Sequence, residues 1–198
     1  MTTIVLGGHA GAAKAAYRPW IWYMLAIVVV LGVTFQIAHF LEHGIQAGVW
    51  FWGSRSAPWM SAAAMWLSHS FGQWFFHMTG EVVPMERQMM MGMELLHLVG
   101  NSIFLVTIAS LYYFVPTKWV RWAFYVEGFH LYEHIMLTST CYFIGKPIGL
   151  STLFGGTAFL FQKEGLVGFR VMWHFLMNLV PTSLMMMGMT GWLKGKAR

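Results

Sequence analysis

The chain of 198 residues is long enough for one domain, is 58% hydrophobic and carries charge on only 10% of its residues. A soluble domain carries about 25% charged residues, so the composition predicts an integral membrane protein rather than a water-soluble globule. The net charge of +5 comes from Lys and Arg scattered through connectors and tails, which gives no basic stripe for nucleic acid, and the single Cys141 excludes a disulfide framework.

Taken in order, Met1 to Arg18 is a Gly- and Ala-containing lead-in with two positive charges. The apolar run that follows continues into Phe35-Gln36-Ile37-Ala38-His39, longer than the apolar region of a cleaved signal peptide, and is expected to be a retained helix. Four segments have the length and apolarity to span roughly 30 Å of hydrocarbon: Trp20 to Gln46, Gln88 to Phe114, Trp119 to Tyr142, and Phe169 to Trp192. Pro116 closes the second because proline lacks the N–H that a helix needs. In the connector Ala47 to Arg87, the stretch Pro58 to Phe76 reads as an interfacial or re-entrant helix. The second connector, Phe143 to Gly168, is rich in Gly and Phe and reads as a partly buried loop.

Four spans place Lys14 and Arg18, Lys118 and Arg121, and Lys194, Lys196 and Arg198 on one side. By the positive-inside rule that side is the cytoplasm. The expected location is thus a multi-pass protein of a bacterial inner (plasma) membrane, with both termini cytoplasmic and both long connectors outside.

An internal repeat organises the spans. His39-Phe40-Leu41-Glu42-His43 and His130-Leu131-Tyr132-Glu133-His134 both read H-x-x-E-H, while His97 to Asn101 and His174 to Asn178 both read H-x-x-x-N. Two motifs recurring in the same order predict an all-α, integral membrane four-helix bundle in a single domain, 1–198. It would be built from two tandem helical hairpins, 19–115 and 118–193, related by a parallel pseudo-two-fold axis along the membrane normal.

Positions three and four apart share a helix face. Gln36, His39, Glu42, His43 and Gln46 form one polar stripe, and Glu127, His130, Glu133 and His134 another. Glu94, His97 and Asn101 line the second span, and His174 and Asn178 the fourth. With alternating helix directions, all four clusters fall in the outer half of the bilayer. Four of the seven glutamates lie within spans, the chain has no aspartate, and no Lys or Arg is expected deep in any span. An ionised side chain at that depth costs at least about 2.5–3.5 kcal/mol, so the carboxyls must be protonated, paired with histidine or bound to metal.

The expected ligand set is His39, Glu42, His43, His97, His130, Glu133, His134 and His174, with Glu94 and Glu127 as further ligands. Asn101, Asn178, Gln36 and Gln46 would orient them. The runs Met89-Met90-Met91 and Met185-Met186-Met187 point around their helices and read as packing.

Three functions fit this pattern. In the first, a dinuclear site of iron or copper ions serves an oxygen-activating oxidoreductase or monooxygenase acting on a lipophilic substrate. The Glu-x-x-His spacing at Glu94–His97 and Glu127–His130 is that of helical di-iron bundles. In the second, the histidines hold haem b in an electron-transfer or anchor subunit. In the third, the chain is a non-enzymatic accessory subunit or a metal or proton conduit. The partners expected are the lipid bilayer and other membrane subunits or an electron donor, and no nucleic acid.

Overall fold

The structure, a computed structural model, describes residues 19–53, 59–156 and 163–195. These form six helices: α1 Pro19–Trp52, α2 Ala62–Thr79, α3 Met85–Phe114, α4 Lys118–Ile144, α5 Leu150–Gly156 and α6 Lys163–Leu193. No strand occurs among the described residues. Lys14, Arg18, Lys196 and Arg198, which bear on orientation, lie outside them.

Local chemistry sets several boundaries. The Ser61 side chain caps α2 by accepting from the Ala64 amide at 3.1 Å, and Thr117 caps α4 by accepting from Val120 at 3.3 Å. Gly80 at φ 72° and Gly145 at φ 76° end α2 and α4 in the left-handed conformation that glycine adopts most readily. Helix α1 runs past the expected limit at Gln46, and α6 begins six residues before the expected Phe169. The turns added to α1, Ala47 to Trp52, are apolar apart from Gly48, and Ala47 and Trp50 are buried against Val171 of α6. Part of the second connector, expected as a loop, forms the short helix α5.

Helix α3 contacts α1, α2 and α4, while α6 contacts α1, α4 and α5. The four long helices therefore close a ring in the order α1, α3, α4, α6. Small residues allow the tightest approaches. A Cβ on Gly92 would lie 1.6 Å from the Ser68 carbonyl oxygen, and one on Gly72 would lie 1.9 Å from that of Gln88, so α2 and α3 touch backbone to backbone. Where α1 crosses α3, a Cβ on Gly32 would strike the Thr107 hydroxyl at 1.7 Å. One end of the ring is sealed by Phe104, Ile108, Leu111, Val115, Val120, Ala123 and Met185.

Two helices, Trp20–Trp52 and Met85–Phe114, are long and apolar enough to cross a membrane. Among the described residues α4 and α6 do not reach that mark. Their stretches are diluted by Glu127, His130, Glu133 and His134 on α4 and by Arg170, His174 and Asn178 on α6.

Candidate metal centre

Residues four apart on a helix lie one above the other, and this brings His39 to His43 on α1 and His130 to His134 on α4. Their ring centroids are 4.6 Å and 4.9 Å apart. Helix α3 sets His97 against the first pair at 5.6 Å and 5.4 Å. Helix α6 sets His174 against the second at 6.0 Å and 5.1 Å. In each trio, one nitrogen from every ring lies within 4.8 Å of the other two. The trios also touch: His97 stacks on His134 at 5.2 Å with 4° between planes, and His43 meets His174 at 6.0 Å.

The second nitrogen of three of the six rings is held by a neighbour, which decides where the lone pair points. His97 Nδ1 lies 2.8 Å from the Met93 carbonyl, and His174 Nδ1 lies 2.8 Å from the Arg170 carbonyl. A carbonyl only accepts, so each Nδ1 carries the proton and each Nε2 keeps its lone pair. His43 Nδ1 meets the Gln46 amide oxygen at 3.1 Å, leaving a buried Nε2 with no hydrogen-bond partner, and His39 Nε2 is in the same state. His130 Nε2 and His134 Nε2 face each other at 3.2 Å. Two imidazole nitrogens at that distance need a proton or a cation between them.

The glutamates take different places from those expected. Neither Glu42 nor Glu133 belongs to a trio. Glu42 accepts from the Ser61 amide at 3.1 Å, at the start of α2, and Glu133 accepts from the Ser151 amide at 2.8 Å, in the first turn of α5. The second oxygen of Glu133 accepts from the Trp173 indole N–H. Amides in a first helical turn lack partners within their own helix, and these carboxylates supply them. Each H-x-x-E-H glutamate thus fastens the helix that follows its motif. Glu94 crosses instead to the other trio, with one oxygen 3.7 Å from His134 Nδ1 and the other 3.1 Å from the Arg170 guanidinium. Glu127 is fully buried, and its close polar contact among the described residues is His130 Nδ1 at 3.6 Å.

Arg170, at the edge of the segment expected from Phe169 to Trp192, is a basic neighbour of the histidines that the sequence motifs do not single out. It sits on α6 four residues before His174, and its charge offsets that of Glu94. Its spacing of four from His174 was the available signal. Trp173, Ser61 and Ser151 carry no sequence signal of their own.

Of the expected orienting residues, Gln46 holds His43, and its amide also donates to the Trp59 carbonyl at 3.1 Å. Gln36 donates to Asn178 at 3.1 Å and to Thr182 at 3.2 Å, below the trios. Asn101 is fully buried, and neither of its amide atoms has a hydrogen-bond partner. Replacing Gln36 with alanine leaves Asn178 without its donor and should cost about 1–3 kcal/mol, read as a lower unfolding midpoint with metal content unchanged.

A cavity of about 380 Å³ opens onto the rings of His43, His97 and His174. Its walls include Met60, Met89, Met90 and Met93 with the Glu94–Arg170 pair. The methionine runs read as packing are therefore divided: Met91 and Met185 are buried in the core, while Met89 and Met90 face the cavity. No curated protein and no solved structure matches the chain. A protein-family match covers residues 2–198, and by it the chain belongs to a family of unknown function, DUF6008.

Proposed function

We propose that this is an integral membrane metalloprotein whose six histidines hold two adjacent transition-metal ions, three imidazoles to each, and that it acts as an oxidoreductase on a lipophilic small molecule. The observation that carries this reading is the pair of touching histidine trios. Buried nitrogens with free lone pairs converge there, and no carboxylate belongs to either trio. Imidazole suits copper, zinc, iron and nickel, whereas a di-iron centre of the carboxylate type needs bridging glutamates, and here Glu42 and Glu133 accept from the Ser61 and Ser151 amides instead. Copper is the metal we assign. Bound there, a copper pair would supply two one-electron acceptors side by side.

Haem fits less well. A macrocycle occupies the equatorial plane around its iron and leaves two axial positions, but each trio brings a third imidazole nitrogen into the same small volume.

The distribution of polarity supports membrane placement of all four long helices as two tandem hairpins. Gln36, Glu127, His130, Glu133, His134 and Asn178 are fully buried, while Val30, Leu31, Leu41 and Val106 are more than half exposed. Only 11% of the most apolar window of α1 is buried, which is the reverse of a soluble core helix. Lipid would cover that exterior, and the basic termini would face the cytoplasm. The cavity has the size of small-molecule sites, which run from about 300 to 1,000 Å³. Its thioether walls suit an apolar ligand, and the Glu94–Arg170 pair offers one polar anchor.

Elemental analysis of protein purified without chelator, read beside its visible spectrum, tests the proposal. We expect about two copper equivalents and no Soret band. An intense Soret band would replace the copper pair with haem. Protein free of metal would overturn the reading and leave a proton-conducting or structural His–Glu network.

A further inference from the structure

The two trios are surrounded by different charges, and the difference follows the internal repeat. Aligning His39 with His130 sets Gln36 opposite Glu127, each three residues before its histidine. Aligning His97 with His174 sets Glu94 opposite Val171, again three residues before. In both pairs the carboxylate faces the same trio. Glu127 Oε2 approaches His130 Nδ1 at 3.6 Å, and Glu94 Oε2 approaches His134 Nδ1 at 3.7 Å. These contacts are longer than hydrogen bonds, but both carboxylates lie in the protein interior, where a charge acts with little screening.

Among the described residues no carboxylate oxygen is paired this closely with a ring nitrogen of the His39, His43 and His97 trio, and Glu94, three residues before His97 on α3, acts on that ring only from farther away. Gln36 turns to Asn178 and Thr182, and Val171 packs with Ala47 and Trp50. The backing of His43 is the neutral Gln46 amide, and that of His97 is the Met93 carbonyl. Exposure to the cavity differs as well. His43 and His97 line it, whereas His174 alone represents the other trio.

Resting on the two-ion reading, we propose that the centre is asymmetric. The His130, His134 and His174 trio is a tight, retained site backed by Glu94 and Glu127, and the His39, His43 and His97 trio is a weaker, exchangeable site open to the cavity. Glu127 and Glu94 are positioning residues. A carboxylate behind Nδ1 stabilises the positive charge of an ion bound at Nε2. Glu127 is the carboxylate to test, because its close contact is with the His130, His134 and His174 trio, whereas the charge on Glu94 is partly offset by Arg170. The weaker trio keeps two rings on the cavity wall, so its ion is the one that a ligand in the cavity reaches.

The test is titration of the metal-stripped, full-length protein with cobalt(II) chloride under chelator competition, followed by d–d absorption. We expect two steps whose dissociation constants differ by at least about 10-fold. The near-isosteric Glu127→Gln should weaken the tight step by about 10–100-fold and leave the weak one in place. His39→Ala should abolish the weak step and spare the tight one. Gln36→Glu should strengthen the weak step and draw the two together. A purely structural role for Glu127 would weaken both steps equally, and that result overturns the proposal. Two equal steps in the unmodified protein would also overturn it. Absence of any cobalt binding would instead sink the two-ion reading beneath it, so the two failures are distinguishable.

Discussion

Protein carrying His97→Ala is expected to hold one metal equivalent instead of two, and protein carrying both His97→Ala and His174→Ala to hold none. His97 is the single contribution of α3 to its trio, and its ring also lies against His134 and His174 across the centre. Losing a group that merely supports a ligand costs about 10–100-fold in metal affinity, so loss of one of three ligands should exceed about 100-fold. The ion would then be lost during purification. The same logic applies to His174, the contribution of α6 to the second trio. Elemental analysis checks stoichiometry, and circular dichroism checks that the helices persist. Two equivalents retained in helical His97→Ala protein would remove His97 from the ligand set. The stripped protein should also unfold at a lower temperature, because an ion that binds the folded state alone stabilises it by mass action.

Gly92→Val should produce the largest loss of stability among single substitutions in the packing of the helices. The first added carbon would lie 1.6 Å from the Ser68 carbonyl oxygen and 2.7 Å from the Gly72 amide nitrogen. Backbone cannot rotate away as a side chain can, so α2 must move off α3. Overpacking of this kind costs about 1–3 kcal/mol or more, which at this chain length lowers the unfolding midpoint by about 5–10 °C. The effect should reach the histidine trios, because α2 is tied to α1 through the Ser61 amide on Glu42 and through Trp59 on Gln46. Gly128→Ala is the control. A Cβ there meets nothing within 4 Å, and alanine favours a helix over glycine by up to about 1 kcal/mol. Equal midpoints for the two variants, by thermal unfolding in detergent, would show that the α2–α3 contact carries no weight.

Repetition explains why so much of the centre could be anticipated from residues alone. His39 with His43, and His130 with His134, are paired by helical periodicity, a local property that any α-helix imposes at a spacing of four. The recurrence of H-x-x-E-H and H-x-x-x-N in the same order indicated that α3 and α6 would each add a histidine, and His97 and His174 do so. The all-helical fold followed from long apolar segments, the second of them closed by Pro116.

The roles of the glutamates were decided by tertiary structure. Periodicity places Glu42 beside His39 and His43, but its partner is an amide at the start of α2, 19 positions along the chain. Glu94 shares a helix face with His97, yet it faces His134 and Arg170 on two other helices. A carboxylate has several acceptor positions and a flexible stem, so the nearest donor in space determines its partner, and that donor belongs to another element. The asymmetry between the trios has a mixed origin. Gln36 against Glu127 and Val171 against Glu94 are written in the sequence, but only the ring of packed helices brings both missing carboxylates to the same trio.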